Sequence, residues 1–385
     1  MADAVDQPLP QRPLRGVRVI ELASIGPGPF AAMMLADAGA DVVRVDRPGE
    51  PPPGWNVDPL LRGRRSIVVD LKHPEGGVVV RRLAADADVV IEGYRPGVAE
   101  RLGVGPEPLL ADNPRLVYAR MTGWGREGPY AERAGHDLDF TALSGALHPI
   151  GTADAPPPPP INFVADFGGG GMMLAFGVVA ALLAARASGQ GQVVDAAMVD
   201  GAASQTAMLL GMRAAGIWSD QRESNLLDGG APFYRTYETA DGGYVAVAAI
   251  EPPFYAELLD ALELDPDDWP QHDLAHWPGQ RRELAEIFAS RTRQHWEAVF
   301  AERDACVVPV LAPAEVPAHP HHRAREAFVE IGGVVQPAPA PRFTGVRPPT
   351  PAPPAEPGAD TDDVLAEGGW SAPEIARLRG SRAVA

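Results

Sequence analysis

Over the first third of the chain, short apolar runs bounded by turn residues alternate with stretches whose apolar positions recur every three or four residues. Val17-Arg-Val-Ile-Glu-Leu22 predicts a strand, Phe30 to Ala38 a helix ended by Gly39, and Asp41-Val-Val-Arg-Val-Asp46 a second strand. Ser66-Ile-Val-Val-Asp-Leu71 is a third strand and Pro74 to Ala85 a helix. Asp88-Val-Val-Ile-Glu92 is a fourth strand, a short helix lies near Leu109, and Leu116-Val-Tyr-Ala-Arg-Met121 is a fifth strand. Strand–helix alternation of this regularity predicts an open, parallel α/β sheet.

Further on, Met172 to Ala187 reads as an apolar helix, and Gly191-Gln-Val-Val-Asp-Ala-Ala-Met198 as a strand running into a helix over Val199 to Ala215. Residues 216–224 are polar and turn-rich and read as a linker. Residues 225–325 read as a smaller α+β domain. Its hairpin runs through Asp241-Gly242-Gly243, and its helices cover Pro253 to Leu262, Arg281 to Ser290 and Gln294 to Arg303. Residues 335–360 are proline-rich and extended, and Ser371 to Arg379 is a capped helix. Residues 1–15 read as a loose leader.

Composition narrows the function classes. The 385 residues are 45% hydrophobic, enough for a substantial core, and carry a net charge of −18, which argues against nucleic acid and anionic membranes as partners. Cys306 is the one cysteine, so no internal disulfide is expected, and residues 1–15 lack the apolar centre of a signal peptide. The most apolar run, Met172 to Ala187, is shorter than a membrane span and reads as a core helix. The expected location is the cytoplasm.

An anionic ligand would need a local basic cluster. In a parallel sheet, ligands bind outside the carboxyl ends of the strands. Those ends are followed by Asp46-Arg47, Lys72-His73, Gly93-Tyr94-Arg95 and Thr122-Gly123-Trp124. Arg44, Arg47, Lys72, Arg95 and Arg101 together read as a basic pocket, and Lys72 is the sole lysine in the chain.

Two titratable groups flank a proline-rich loop: His136 in Ala134-Gly-His-Asp137, and Asp166 ahead of four glycines, 168–171. A histidine and a carboxylate near a glycine-rich helix start make an acid/base site, and the glycine amides are candidates for holding an oxyanion. Packing of a buried helix is the alternative reading of the glycines. A second rival is a dinucleotide site: Gly26-Pro-Gly28-Pro-Phe-Ala31 fits G-x-G-x-x-A between strand and helix, with Asp46 ending the next strand. Against it, Pro29 removes an amide donor near the helix start, and Arg44 and Arg47 crowd the acid. His319-Pro-His321-His322 and Asp137-Leu-Asp139 read as surface loop, and no metal is expected.

In their order along the chain, several short motifs resemble one family. They are Leu14-Arg-Gly-Val-Arg-Val-Ile-Glu-Leu22, Leu35-Ala-Asp-Ala-Gly-Ala-Asp-Val-Val-Arg44, Val69-Asp-Leu-Lys72, Glu92-Gly-Tyr-Arg-Pro-Gly97, Thr122-Gly-Trp-Gly125, Ala134-Gly-His-Asp137 and Asp166-Phe-Gly-Gly-Gly170. The chain resembles the family III CoA transferases, and within them the α-methylacyl-CoA racemases; the match displaces the dinucleotide reading.

The resemblance implies a large Rossmann-like, CoA-binding domain over residues 1–215, completed by 330–385, with the smaller domain inserted. It implies an interlocked homodimer and an acyl-CoA thioester as substrate, with no cofactor beyond the CoA moiety. By motif position, Arg44, Leu71, Lys72, Tyr94, Arg95, Arg101 and Gly123 fall where the family holds the coenzyme. The transferases use the Asp166 position as a nucleophile. The racemases use it as one of two acid/base groups, with a histidine, here His136, as the other, and Glu251 falls where a glutamate pairs with that histidine. Phe140 stands where the racemase motif carries tyrosine.

The implied chemistry inverts C2 of a 2-methylacyl thioester, which requires a base on one face and an acid on the other. Histidine, with a reference pKa near ~6.5, serves as base when neutral, whereas Asp166 must be held protonated by burial to serve as the acid. Transferase chemistry through Asp166, and CoA-thioester binding without catalysis, are the competing readings.

Overall fold

The computed structural model describes residues 12–346 and 349–385, so the first eleven residues of the expected leader lie outside the described residues. The chain runs β1 (Arg18–Leu22), α1 (Pro27–Asp37), β2 (Asp41–Asp46), β3 (Arg65–Val68), α2 (Gly76–Ala85), β4 (Val89–Glu92), α3 (Val98–Arg101), α4 (Pro106–Asp112), β5 (Val117–Thr122) and α5 (Asp137–Leu143). A π-helical segment, Phe163–Met172, leads directly into α6 (Met173–Ser188), followed by β6 (Gln192–Ala197) and α7 (Met198–Ser204).

These strands form one parallel sheet in the order β3-β2-β1-β4-β5-β6. Strands β4 and β5 are buried at every position, as expected of central strands covered on both faces. One face packs against α2, α4 and the C-terminal helices through Ile20, Val43, Leu83 and Leu109; the other packs against α1 and α6 through Val19, Leu35, Leu174 and Val178. The strand order reverses between β1 and β4, the place where a crevice opens in such sheets.

The chain divides into two compact units. The sheet unit takes the described residues through Ser144, then Pro160–Gln205 and Ala324–Ala385. The second unit, Gly145–Pro159 with Thr206–Arg323, holds α8 (Ala207–Ala214), the antiparallel pair β7 (Tyr234–Glu238) and β8 (Tyr244–Ala248), α9 (Pro252–Ala261), α10 (Trp277–Ala289), α11 (Arg293–Phe300) and β9 (Val307–Pro309), which pairs with β8. Its core is aromatic: Phe233, Tyr237, Trp277, Phe288 and Trp296. After α12 (Pro320–Ala324) come β10 (Phe328–Ile331), β11 (Val334–Pro337), α13 (Thr361–Glu367) and α14 (Ala372–Gly380). The C-terminal stretch is tied to β3: Ser66 donates its N–H to Asp360, and Thr361 donates its hydroxyl to the Ala385 carbonyl at 2.7 Å.

Several elements depart from the sequence pattern for identifiable reasons. Helix α1 begins at Pro27 rather than Phe30, because the first-turn amides lack intrahelical partners anyway and proline costs nothing there. The helix expected over Val199 to Ala215 is two, α7 and α8, parted where the units divide. The glycine run, read as lying at a helix start, is itself helical despite glycine's poor propensity; packing supplies what propensity does not. Counting that segment, the apolar helix covers Phe163–Ser188, 26 residues, long and apolar enough to cross a membrane by length and composition, whereas the run read from sequence is shorter. Leu174, Val178, Ala181 and Ala185 bury one face of it in the core.

Candidate active site

At the switch point a cavity of about 540 Å³ opens, within the size range of small-molecule sites. Residues that follow β1 (Ser24, Ile25, Gly26, Pro27), β4 (Gly93 to Pro96) and β5 (Gly123, Trp124) line it, together with His136, Phe140, Asn162, Asp166 and Met198. Both sequence-derived acid/base candidates therefore face one space.

His136 heads α5, and its backbone N–H donates to the Asp139 carboxylate at 2.9 Å, which closes the first turn. Its neighbour Asp137 points the other way, into the protein. The buried Asp137 carboxylate accepts from the Ala165 N–H at 2.8 Å, the Asp166 N–H at 2.7 Å and the Thr141 hydroxyl at 3.1 Å. It thus caps the π-helical segment, whose opening amides have no intrahelical partner. Two consecutive residues carry the site: one presents an imidazole to the cavity, the other anchors the backbone that carries the opposing carboxylate.

Burial first, and then the Asp137 carboxylate, push the Asp166 acid above its ordinary range; a hydrogen bond from Asn162 and the charge of His136 oppose the shift. The α1 N-cap residue, Gly26, has φ +69°, and a Cβ there would sit 3.6 Å from Asp166 Oδ2. The positive φ makes this a position for glycine, while the contact with Asp166 would be an ordinary one.

The glycines after Asp166 do something other than bind an oxyanion. None of residues 168–171 lines the cavity. Gly169 abuts the backbone of α7, where a Cβ would meet Gly201 and Ala202, and Gly170 and Gly171 abut Pro27 and Phe30 of α1. They let three helices approach backbone to backbone beneath the acid/base pair. The packing alternative for these residues is correct, and the oxyanion role is withdrawn.

Of the residues assigned to the coenzyme, Tyr94, Arg95 and Gly123 line the cavity, and Arg44, Leu71, Lys72 and Arg101 do not. Arg44 is committed elsewhere. It pairs with the fully buried Glu21 at 2.9 Å and with Asp46 at 2.8 Å, while Arg64 takes the second Glu21 oxygen at 2.6 Å. Leu71 packs on the core. Lys72, Arg95 and Arg101 are exposed, as is Arg47, and none has a carboxylate partner among the described residues. Four uncompensated cations after β2, β3 and β4 suit phosphate. Glu251 belongs to the second unit, exposed at the head of α9, and does not line this cavity.

Phe140 is buried, its ring edge-on to Trp124 at 4.6 Å and lying where a Gly123 side chain would be. Sequence reading missed Asp137 and Asn162 as site residues. The available signal for Asp137 was Thr141 one helical turn on; nothing in the pattern singles out Asn162.

A doubly wound sheet with an imidazole and a raised-pKa carboxylate in the cavity at its switch point defines a small-molecule enzyme of the α/β class. A family model described as CoA-transferase family III matches residues 14–361. The chain belongs to that family. It is 47% identical over 375 residues to a mouse protein named alpha-methylacyl-CoA racemase, covering 96% of this chain and 97% of the mouse one. It is 44% identical to the human protein of that name over 378 residues, covering 96% and 97%. Among solved structures, a CAIB/BAIF family protein from Brucella suis aligns with TM-score 0.79 and 29% identity over 92% of this chain and 99% of that one.

Proposed function

We propose that the chain is a 2-methylacyl-CoA racemase that inverts C2 of a thioester by proton removal on one face and delivery on the other. The observation that carries the reading is that His136 and Asp166 share one cavity, with Asp166 pushed toward its neutral form. In one direction the neutral imidazole takes the C2 proton, the electrons move into the thioester carbonyl to give an enolate, and the Asp166 acid returns a proton from the opposite face. The reverse direction exchanges the roles. Relatives of that name, each matched over nearly the full chain, support the assignment. Arg47, Lys72, Arg95 and Arg101 bind the coenzyme phosphates electrostatically, and Tyr94 and Gly123 shape its approach. No cofactor beyond the CoA moiety enters this reaction.

The decisive experiment incubates purified protein with 2-methylacyl-CoA in heavy water and no acceptor. Deuterium at C2 with loss of optical purity is expected. No exchange, together with a hydroxylamine-trappable thioester on Asp166, would establish the transferase alternative; neither result would leave a binding protein. The same assay tests Glu251, which we propose contributes to the reaction: Glu251→Gln is expected to slow exchange while leaving CoA binding intact, and an unchanged rate removes it from the mechanism.

We also propose a homodimer. Met172, at the end of the π-helical segment, and Phe176, Val179 and Leu183 of α6 repeat at helical spacing and are exposed in the single chain, Phe176 by 70% and Leu183 by 72%. A second copy covering this stripe removes it from water, and a membrane is the competing occupant. Sedimentation of the parent as a dimer, with Phe176→Glu/Leu183→Glu shifting it to monomer, is expected. A monomeric parent overturns the assignment, and so does binding to neutral vesicles that the double substitution abolishes.

A further inference from the structure

We propose that Glu92 is a positioning residue: from the end of β4 its buried carboxylate holds the Tyr94 N–H, and with it residues 93–96, the part of the cavity wall that grips coenzyme A. This rests on the acyl-CoA reading above. Glu92 is 4% exposed, and its Oε2 accepts the Tyr94 N–H at 2.7 Å. Gly93, Tyr94, Arg95 and Pro96 line the cavity, so the bond ties the floor of the sheet to that wall. Directly across, at the paired position of β5, Arg120 comes within 3.3 Å of Oε1. Arg120 is itself buried and is pulled the other way by Glu100 at 2.6 Å.

The surroundings are short of positive charge. Glu92 faces Arg120 from β5, Glu100 from α3 and Asp195 from β6, with the phenols of Tyr94 and Tyr118 nearby. Arg120 is thus divided between Glu92 and Glu100, while Arg126 reaches only Glu100, at 3.0 Å, and Asp195 adds a third negative charge. Burial, the largest influence, pushes Glu92 up to about 7; the Tyr94 N–H and Arg120 pull it down, and Glu100 and Asp195 add to the rise. An apolar residue would fill this place without that cost. What the carboxylate supplies is a charge-assisted bond to a loop amide, stronger than a neutral acceptor gives. Ionised, Glu92 fixes the wall; protonated, it holds the wall with a weaker bond and leaves Arg120 to Glu100. The grip on the ligand therefore tightens as pH rises through neutrality.

The stability consequence has the opposite sign. A carboxyl whose folded pKa lies above its unfolded value contributes stability that is fully present below the unfolded value and is lost as pH rises through the folded one. Glu92→Gln mimics the protonated form, so it is expected to melt higher than the parent at pH 8 and no lower at pH 5, while binding worse.

Calorimetric titration with free coenzyme A, which has no reacting carbon, reads the binding. At pH 8 Glu92→Gln is expected to bind about tenfold more weakly than the parent, the value of roughly one charge-assisted hydrogen bond, and the gap is expected to close by pH 6. In turnover, KM rises and kcat stays within about threefold of the parent, since no reacting atom touches Glu92. Equal affinity of the two proteins at pH 8, or a lower melting temperature for Glu92→Gln at that pH, overturns the proposal. Amide hydrogen exchange of residues 93–96 in the unaltered protein decides the matter even if the variant fails to fold. Protection that rises between pH 6 and 8, after correction for intrinsic rates, supports the strut, and flat protection sinks it. Failure of the parent to bind coenzyme A at any pH would remove the acyl-CoA reading, and the loop exchange would still test Glu92.

Discussion

Asp166→Asn is expected to lower racemisation by about a thousandfold, within the usual range for losing a positioned acid/base group. Asparagine keeps the size and the contact with Asn162 but cannot exchange a proton. A two-base mechanism makes a sharper demand. With His136 intact, one enantiomer should still exchange its C2 hydrogen for deuterium without inversion, while the other should be inert. His136→Gln should show the opposite preference. If either variant stops exchange of both enantiomers equally, the two groups do not work on opposite faces of one carbon. Because burial and Asp137 hold the Asp166 carboxyl above its ordinary range, its stability contribution is present at low pH and fades as pH rises. Asp166→Asn should therefore melt no lower than the parent at pH 8. A large fall would mean that the carboxylate is structural.

Gly201→Ala is expected to be the most damaging small substitution in the sheet unit. A methyl group there would overlap the Gly169 carbonyl, a backbone atom of the π-helical segment that carries Asp166. Overpacking a well-filled core costs about 1–3 kcal/mol, and backbone against backbone has no rotamer through which to relax, so the upper end applies. The expected loss of about 3 kcal/mol corresponds to a melting temperature lower by on the order of 6 °C or more. Activity measured well below that temperature should still fall, because α7 and the π-helical segment must separate and Asp166 moves with the latter. A variant of parental stability and activity would show that the close approach is not required.

The sheet was legible because its strands are short β-branched runs cut off by charged or glycine-rich turns, and Asp41 to Asp46 matches residue for residue. His136 and Asp166 were legible as a pair through motif order rather than chemistry; many surface histidines sit beside carboxylates. What the sequence hid was each group's commitment to other partners. Arg44 looks like a free cation in the string, but parallel pairing sets it opposite Glu21, and the buried carboxylate claims it. Asp137 looks like a loop acid until α5 turns it inward to accept two amides from a segment 28 and 29 residues away. Four glycines in a row look like a flexible turn, and only the nearness of α1 and α7 makes them a helix. In each case the deciding neighbour is distant in sequence, which local pattern does not report.

The solitary lysine has a practical corollary. Lys72 is exposed, just past β3 at the end of the sheet where the cavity opens, and every other basic side chain is arginine. Amine-directed reagents, the terminal amine aside, will therefore address one defined spot. A fluorophore or crosslinker placed there gives a single-position reporter with no mutagenesis, and mass spectrometry of shielding at that nitrogen can follow ligand occupancy in unpurified samples.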